Sequence, residues 1–203
     1  MDTKQHWERI YAERSPTEVS WFQGRPETSL ALIEGCGLDR DAPIIDVGGG
    51  ASRLVDELLA ADYRHVAVLD IAARSLDHAR QRLGARAAQV AWYAADVTQF
   101  EPPEPVALWH DRAVFHFLRE AEARQRYVAR VRRTVRPGGH VIIAAFAIGG
   151  PTHCSGLEIV QYDAERLMVE MGEGFALEET VAEDHLTPGG ATQAFNYFHL
   201  RRL

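Results

Sequence analysis

Cysteine is scarce. The chain holds only Cys36 and Cys154, which excludes a disulfide-stapled scaffold, and neither stands at metal-ligand spacing from other donors, so no metal site is expected. A reducing, cytoplasmic setting is the expectation. Long apolar runs are lacking too: the longest, Val141 to Gly150, falls far short of the roughly 20 residues of a membrane span. Met1-Asp2-Thr3-Lys4-Gln5-His6 opens a polar stretch with no apolar centre, so neither a secretory signal nor a membrane partner is expected. Lysine is nearly absent, Lys4 standing alone among 22 basic residues; with the many alanines this reads as the codon bias of a GC-rich, bacterial genome and says little about function. Positive charge is in deficit. A net charge of −7 without a concentrated basic face argues against nucleic acid as a partner.

What is present is a globular composition. With 203 residues, 46% hydrophobic and 25% charged, the chain suits one domain that buries about 70% of the surface its unfolded form exposes. Short apolar runs alternate with helical patterns. Residues 43–47, 65–70, 90–93, 106–109 and 140–147 read as strands, rich in β-branched and aromatic residues and bounded by Gly, Pro or Asp. Between them Ser52 stands as N-cap to Leu54-Val55 and Leu58-Leu59, Ser75 to Leu83 ends at Gly84, and Arg119 to Val135 stops before Pro137-Gly138-Gly139. This alternation implies a parallel sheet with helices on both faces. The C-terminal third changes rhythm. After a helix over 163–171, strands over 175–183 and 191–200 flank Thr187-Pro188-Gly189-Gly190, an antiparallel hairpin. Ahead of the first strand lie helices over 3–12 and 26–35, joined by Val19-Ser20-Trp21-Phe22-Gln23. Residues 1–40 are expected to form a helical lid on a core of 41–203.

The chemistry gathers at strand ends. Ile44-Ile45-Asp46-Val47-Gly48-Gly49-Gly50-Ala51-Ser52 is a strand entering a glycine turn that opens a helix. Gly48 and Gly50 allow a ligand to approach backbone where a Cβ would collide, in the crevice where open α/β sheets bind ligands. Asp70 ends the second strand, 24 residues after Asp46, placed to accept from ribose hydroxyls; Asp96 follows the third and can face an adenine amino group. Each acid alone suits a cap or turn, but three at successive strand ends point to a nucleoside. A dinucleotide site would carry a third glycine where Arg53 stands. Asp46, just before the turn, gains nothing from a pyrophosphate but favours an ammonium and a sulfonium, which selects S-adenosylmethionine.

With these residues the sequence resembles the class I S-adenosylmethionine-dependent methyltransferases, on Asp46-Val47-Gly48-Gly49-Gly50, Asp70-Ile71, Asp96-Val97 and Arg136-Pro137-Gly138-Gly139. The resemblance implies an α/β fold, a seven-stranded Rossmann-like sheet whose last strand is antiparallel, with the cofactor across the tips of strands one to four. It also implies that Asp70 holds the ribose, Ile71 packs on adenine, Asp96 and Val97 meet its edge, and Gly48 and Gly50 line the methionine end, with Asp46 and His110 beside them. Ser52 departs from the family's commoner third glycine.

The acceptor is less legible. Trp109-His110-Asp111-Arg112 is similar to a stretch of the thiopurine and thiol S-methyltransferase branch, and Trp7-Glu8-Arg9-Ile10-Tyr11 with Trp21-Phe22 to its aromatic lid segment, though a looser form occurs in small protein-lysine methyltransferases. Trp7, Tyr11 and Trp21 are therefore expected over the cofactor, or as a clasp between helices. His116 is the candidate proton acceptor, with Asp111 and Arg112 orienting it or binding an anionic group; its alternative is packing. The expected reaction is methyl transfer to a small-molecule acceptor with a soft nucleophile such as a thiol. The alternatives are a protein-lysine methyltransferase and a non-catalytic binder of the cofactor.

Overall fold

A computed structural model describes residues 3–203. The core is a seven-stranded sheet in the order β3-β2-β1-β4-β5-β9-β8. β1 (Ile44–Val47), β2 (Val66–Asp70), β3 (Val90–Ala94), β4 (Val106–Arg112) and β5 (Val135–Phe146) run parallel. β8 (Phe175–Leu186) and β9 (Thr192–Arg202) close one edge as an antiparallel hairpin, β9 lying against β5. The expected fold class holds. A small separate hairpin, β6 (His153–Cys154) with β7 (Leu157–Glu158), was not foreseen. Among the described residues no helix is long and apolar enough to cross a membrane.

Alternation along the strands builds two cores. Ile44, Val66, Val68, Leu108 and Ile142 face α2 (Glu27–Gly35), α3 (Leu54–Ala60) and α4 (Ala73–Leu83). Ile45, Val47, Leu69, Trp109 and Ile143 face α5 (Ala121–Thr134) and α6 (Ala164–Met171). β1 is buried along its whole length because both faces are covered, as a central parallel strand requires. α2 joins this packing through Leu32 and Ile33, so the roof over the sheet comes from α1 (Thr3–Glu13) and the connector that follows it.

Two helix starts show how the ends are satisfied. Ser52 Oγ accepts from Leu54 N (3.1 Å) at the start of α3. α4 begins two residues earlier than Ser75 because Glu8 of α1 accepts from Ala73 N (2.7 Å) and Arg74 N (3.4 Å). A carboxylate there meets both orphan amides and the positive end of the helix. The Pro137-Gly138-Gly139 turn lies within β5 as a bulge: Val106 pairs with Val135, and the next registered pair is Leu108 with His140. Gly138 takes φ +74°, and a side chain on Gly139 would press on Ala107 O.

Candidate active site

A cleft of about 590 Å³ opens at the carboxyl ends of β1, β2 and β4, beneath α1. Its floor is the β1 turn. Gly48 takes φ +66°, and any side chain there would strike Val114 Cγ2, so glycine alone lets the turn and the segment after β4 meet. Gly50 lines no part of the cleft; it leaves room for the Asp70 carboxylate, which a Cβ at that position would displace.

Asp70 and Ile71, from the end of β2, and Asp96 and Val97, after β3, form one wall. Asp70 is 7% exposed, its Oδ1 accepting from Ala72 N (2.8 Å). Burial pushes its pKa up to about 7, against the opposing pull of the Ala72 and Ser75 hydrogen bonds. Asp96 is a turn residue as well as a wall: Oδ1 accepts from Thr98 N and Thr98 Oγ1, both at 2.8 Å, which leaves Oδ2 to the exposed Gln99.

The roof is aromatic. Trp7 meets Trp21 edge-to-face at 5.7 Å and Phe117 at 5.1 Å, and Tyr11 lies 6.3 Å from Trp21. All four rings line the cleft. Edge-to-face packing suits the ring quadrupoles and makes a fixed, electron-rich ceiling. Phe117 was not singled out by the sequence reading, nor were Arg119 and Arg126 at the mouth.

Arg112 reaches the cleft with two of its three guanidinium nitrogens hydrogen-bonded, while Nη2 has no hydrogen-bond partner and lies 3.6 Å from Glu183 Oε1. Nε donates to Tyr197 OH (2.8 Å), Nη1 to Trp21 O (3.1 Å), and the group lies 4.6 Å over the Phe195 ring. It clamps the aromatic connector to β9. Behind the turn, Asp46 Oδ1 pairs with His110 Nδ1 (2.7 Å), and His110 Nε2 with Ser29 Oγ of α2 (2.9 Å). These two border a void of about 40 Å³ rather than the main cleft. Asp46 Oδ2 is buried without a hydrogen-bond partner.

Two expected catalytic residues lie elsewhere. Asp111 is fully buried: Oδ1 accepts from Val114 N (2.8 Å), and Oδ2 from Tyr127 OH (2.6 Å) and Phe115 N (3.1 Å). His116 is also fully buried, packed on Phe117 (4.5 Å) and Phe146 (4.9 Å), with both ring nitrogens lacking partners. Desolvation, with Arg112 nearby, brings its pKa down to about 3. A proton acceptor needs access and a pKa near the working pH; this imidazole has neither, and the packing alternative describes it. His116→Phe is therefore expected to keep methyl transfer within about twofold and to stabilise the fold by about 1 kcal/mol, since it removes two unpaired ring nitrogens from the core. The unfolded imidazole takes a proton near pH 6.5 and the folded one does not, so the native residue makes stability fall as pH drops below 6.5. Chemical denaturation at pH 7.5 and 5 should show that the variant loses part of this sensitivity; a variant that is stable but inactive would restore His116 as a catalytic group.

The residues present fit an adenosyl sulfonium. Gly48 holds the floor open, Asp70 is a buried carboxyl in the wall, and the ceiling is aromatic. Residues 44–139 match a family model described as a methyltransferase domain. No curated protein matches the sequence. Among solved structures, the N-methyltransferase NodS of Bradyrhizobium japonicum WM9, in complex with S-adenosyl-L-homocysteine, is similar with a TM-score of 0.74 at 19% identity, over 100% of this chain and 99% of that one. A 1,6-didemethyltoxoflavin-N1-methyltransferase of Burkholderia thailandensis gives 0.69 at 17%, over 98% and 84%. A structure described for the conversion of a disulfide bond into a thioacetal group during echinomycin biosynthesis gives 0.79 at 18%, over 98% and 92%. Residues 44–139 thus match a methyltransferase domain model, and the chain has the seven-stranded fold of these methyltransferase structures.

Proposed function

We propose that this chain is an S-adenosylmethionine-dependent methyltransferase that methylates a small-molecule acceptor through a soft nucleophile, a thiol being the best fit. The observation that carries the reading is a cleft of about 590 Å³, roofed by Trp7, Trp21 and Phe117, whose lining contains no histidine among the described residues. Its volume falls in the range of small-ligand sites. S-adenosylmethionine supplies an electrophilic methyl on a sulfonium. Asp70 would hold the ribose hydroxyls, Ile71 and Val97 the adenine faces, and Asp96 its edge, while the Gly48 turn would hold the methionine end. Trp7, Trp21 and Phe117 exclude water and place aromatic faces near the sulfonium, a favourable setting for positive charge.

Chemistry then rests on alignment, which can supply roughly 7–11 kcal/mol. An ammonium acceptor would need a base in the cleft, and of the carboxyls that line it Asp70 and Asp96 serve the adenosyl part in this reading, which leaves Glu120. A thiol with a pKa of about 8.5 reaches its reactive thiolate by losing a proton to water. The side chains near the transfer end fit the second case: Cys154 is held neutral by burial, its pKa about 12, and Arg112 is locked to Tyr197 and Trp21. The likeness of the Asp111-Arg112 stretch and the aromatic lid to the thiol S-methyltransferase branch supports sulfur, although here Asp111 braces a loop and Arg112 braces the lid. The neighbouring folds include N-methyltransferases and the structure described for thioacetal formation, which supports a small acceptor more strongly than its accepting atom.

Purified enzyme incubated with methyl-labelled S-adenosylmethionine, simple thiols and bacterial lysate tests this. Label is expected in the volatile and small-molecule fractions, with thiols raising it. Label confined to a protein band would replace the reading by protein methylation. Tight cofactor binding with label nowhere would leave a non-catalytic binder.

A further inference from the structure

A second group of chemically active side chains lies at the other end of the sheet. β4 reaches the cleft at Arg112 and pairs Leu108 with His140 far below it, near the amino-terminal ends of the parallel strands. There His140 of β5, His199 of β9 and Cys36, which caps the C-terminus of α2, turn their donor atoms together within 4.8 Å. His140 Nδ1 is 2.7 Å from His199 Nε2, and Cys36 Sγ is 3.5 Å from that same nitrogen. Glu178 of β8 brings Oε2 to 3.5 Å from it as well. The two histidines are buried, 4% and 7% exposed, while Glu178 is open to solvent.

We propose that Cys36, His140 and His199 form a metal site for a thiophilic divalent ion of the zinc class, with Glu178 or water as the fourth ligand. The donor set carries the choice of ion: one thiolate and two imidazoles suit zinc, whereas calcium and magnesium demand oxygen. Geometry agrees. Metal bonds of about 2.3 Å to sulfur and 2.0–2.1 Å to nitrogen, at tetrahedral angles, separate S from N by about 3.6 Å and N from N by about 3.4 Å. The sulfur is at its distance already; the imidazole nitrogens, now 2.7 Å apart and sharing a proton, need to part by about 0.7 Å. On binding, the Cys36 thiol releases its proton to solvent as the S–metal bond forms, and each histidine gives a ring lone pair while keeping one N–H.

Arg201 is the opposing charge. Its Nη1 lies 3.2 Å from His140 Nε2, and the same guanidinium is held by Gly138 O (2.8 Å) and Glu178 Oε1 (3.0 Å). It keeps those two bonds when His140 Nε2 carries the proton, and its charge lowers affinity without closing the site. The ion would tie the end of α2 to β5 and β9. The sequence could not announce this cluster, since Cys36 and His199 stand 163 residues apart; the expectation of no metal site rested on spacing alone.

Metal-stripped full-length protein titrated with zinc chloride in a calorimeter, and with cobalt(II) under an absorption spectrometer, tests the site. One ion per chain is expected, reversed by a chelator, with a thiolate-to-cobalt charge-transfer band in the near ultraviolet. Losing an outer partner of a metal site already costs about 10–100-fold, so Cys36→Ser and His140→Gln should each weaken zinc by roughly 100-fold or more, and Cys36→Ser should abolish the band. Cys154→Ser should change neither. Arg201→Gln should tighten binding several-fold. Circular dichroism identifies a variant that fails to fold, in which case the remaining ligand variant decides. The proposal is overturned by absence of saturable zinc binding, by binding that survives in both ligand variants, or by a band that follows Cys154.

Discussion

Asp70→Asn is expected to weaken S-adenosylmethionine binding by roughly 10- to 100-fold at pH 8, the worth of charge-assisted hydrogen bonds from ribose hydroxyls. The effect should shrink as pH falls. Without the cofactor the carboxyl has a pKa of about 7, raised chiefly by burial, so at pH 8 it is mostly charged and ready to accept. Two hydroxyl donors stabilise that charged form, and binding therefore expels a proton wherever the free site holds one. The sign follows: affinity drops as pH falls through 7, by about tenfold from pH 8 to pH 6 when each pH unit below the pKa is worth up to tenfold. Asn cannot titrate, so the gap between variant and native protein closes toward acid. That difference, rather than the native profile alone, is the readout, because it cancels ionisation of the ligand's own amino group. Structural collapse is not the cause, since the burial that penalises the Asp70 charge makes a neutral amide cheap in the same place. Calorimetric titrations of both proteins at pH 6, 7 and 8 decide it. A constant gap across that range, or no gap at pH 8, would remove Asp70 from the cofactor site.

The floor and wall of the cleft were legible because their residues are local. The Gly48 turn, Asp70-Ile71 and Asp96-Val97 each sit where a strand stops, and the ends of parallel strands must lie side by side. Trp7, Tyr11 and Trp21 were legible as a group of aromatics ahead of the first strand, although the bond that seats α1, Glu8 to Ala73 and Arg74, joins segments 65 residues apart and leaves no local mark. The misreading after β4 has a definite origin. Ending that strand at Trp109 turned His110, Asp111 and Arg112 into a loop free to face the acceptor. Instead β4 continues to Arg112, because β1 and β5 pair with it on both sides: Val47 and Ile143 with Asp111, Ala144 with Arg112. Backbone pairing there outweighs the polar composition. Once the strand continues, its two-residue period sends Trp109 and Asp111 toward α5, and His110 and Arg112 toward α2 and the aromatic connector. Read as a loop, all three could face the cleft; as a strand, only Arg112 reaches it.

That parity makes Asp111 a structural acid, and Asp111→Ala should act on stability before it acts on chemistry. The carboxylate is the common acceptor for Val114 N, Phe115 N and Tyr127 OH, and the Tyr127 hydroxyl in turn accepts from Trp109 Nε1 at 2.9 Å. Burial raises its pKa to about 6 while these three donors hold it down, so at pH 7.5 it remains charged. Alanine strands all three donors in the core, at about 1–3 kcal/mol for each group left unsatisfied, less whatever the loop recovers by relaxing. A loss of about 3–5 kcal/mol is expected, or roughly 6–20 °C in Tm for a chain of this size. Tyr127→Phe removes one donor together with its link to Trp109 and should cost about 1–2 kcal/mol. The loss would also reach the cleft, because Asp111 holds the turn that presses Val114 against Gly48; cofactor affinity should fall in step with stability. Denaturant titrations beside calorimetry separate the two roles. An alanine variant with native Tm and native cofactor affinity but no methyl transfer would return Asp111 to the reacting atoms, and the reading of β4 would have to change with it.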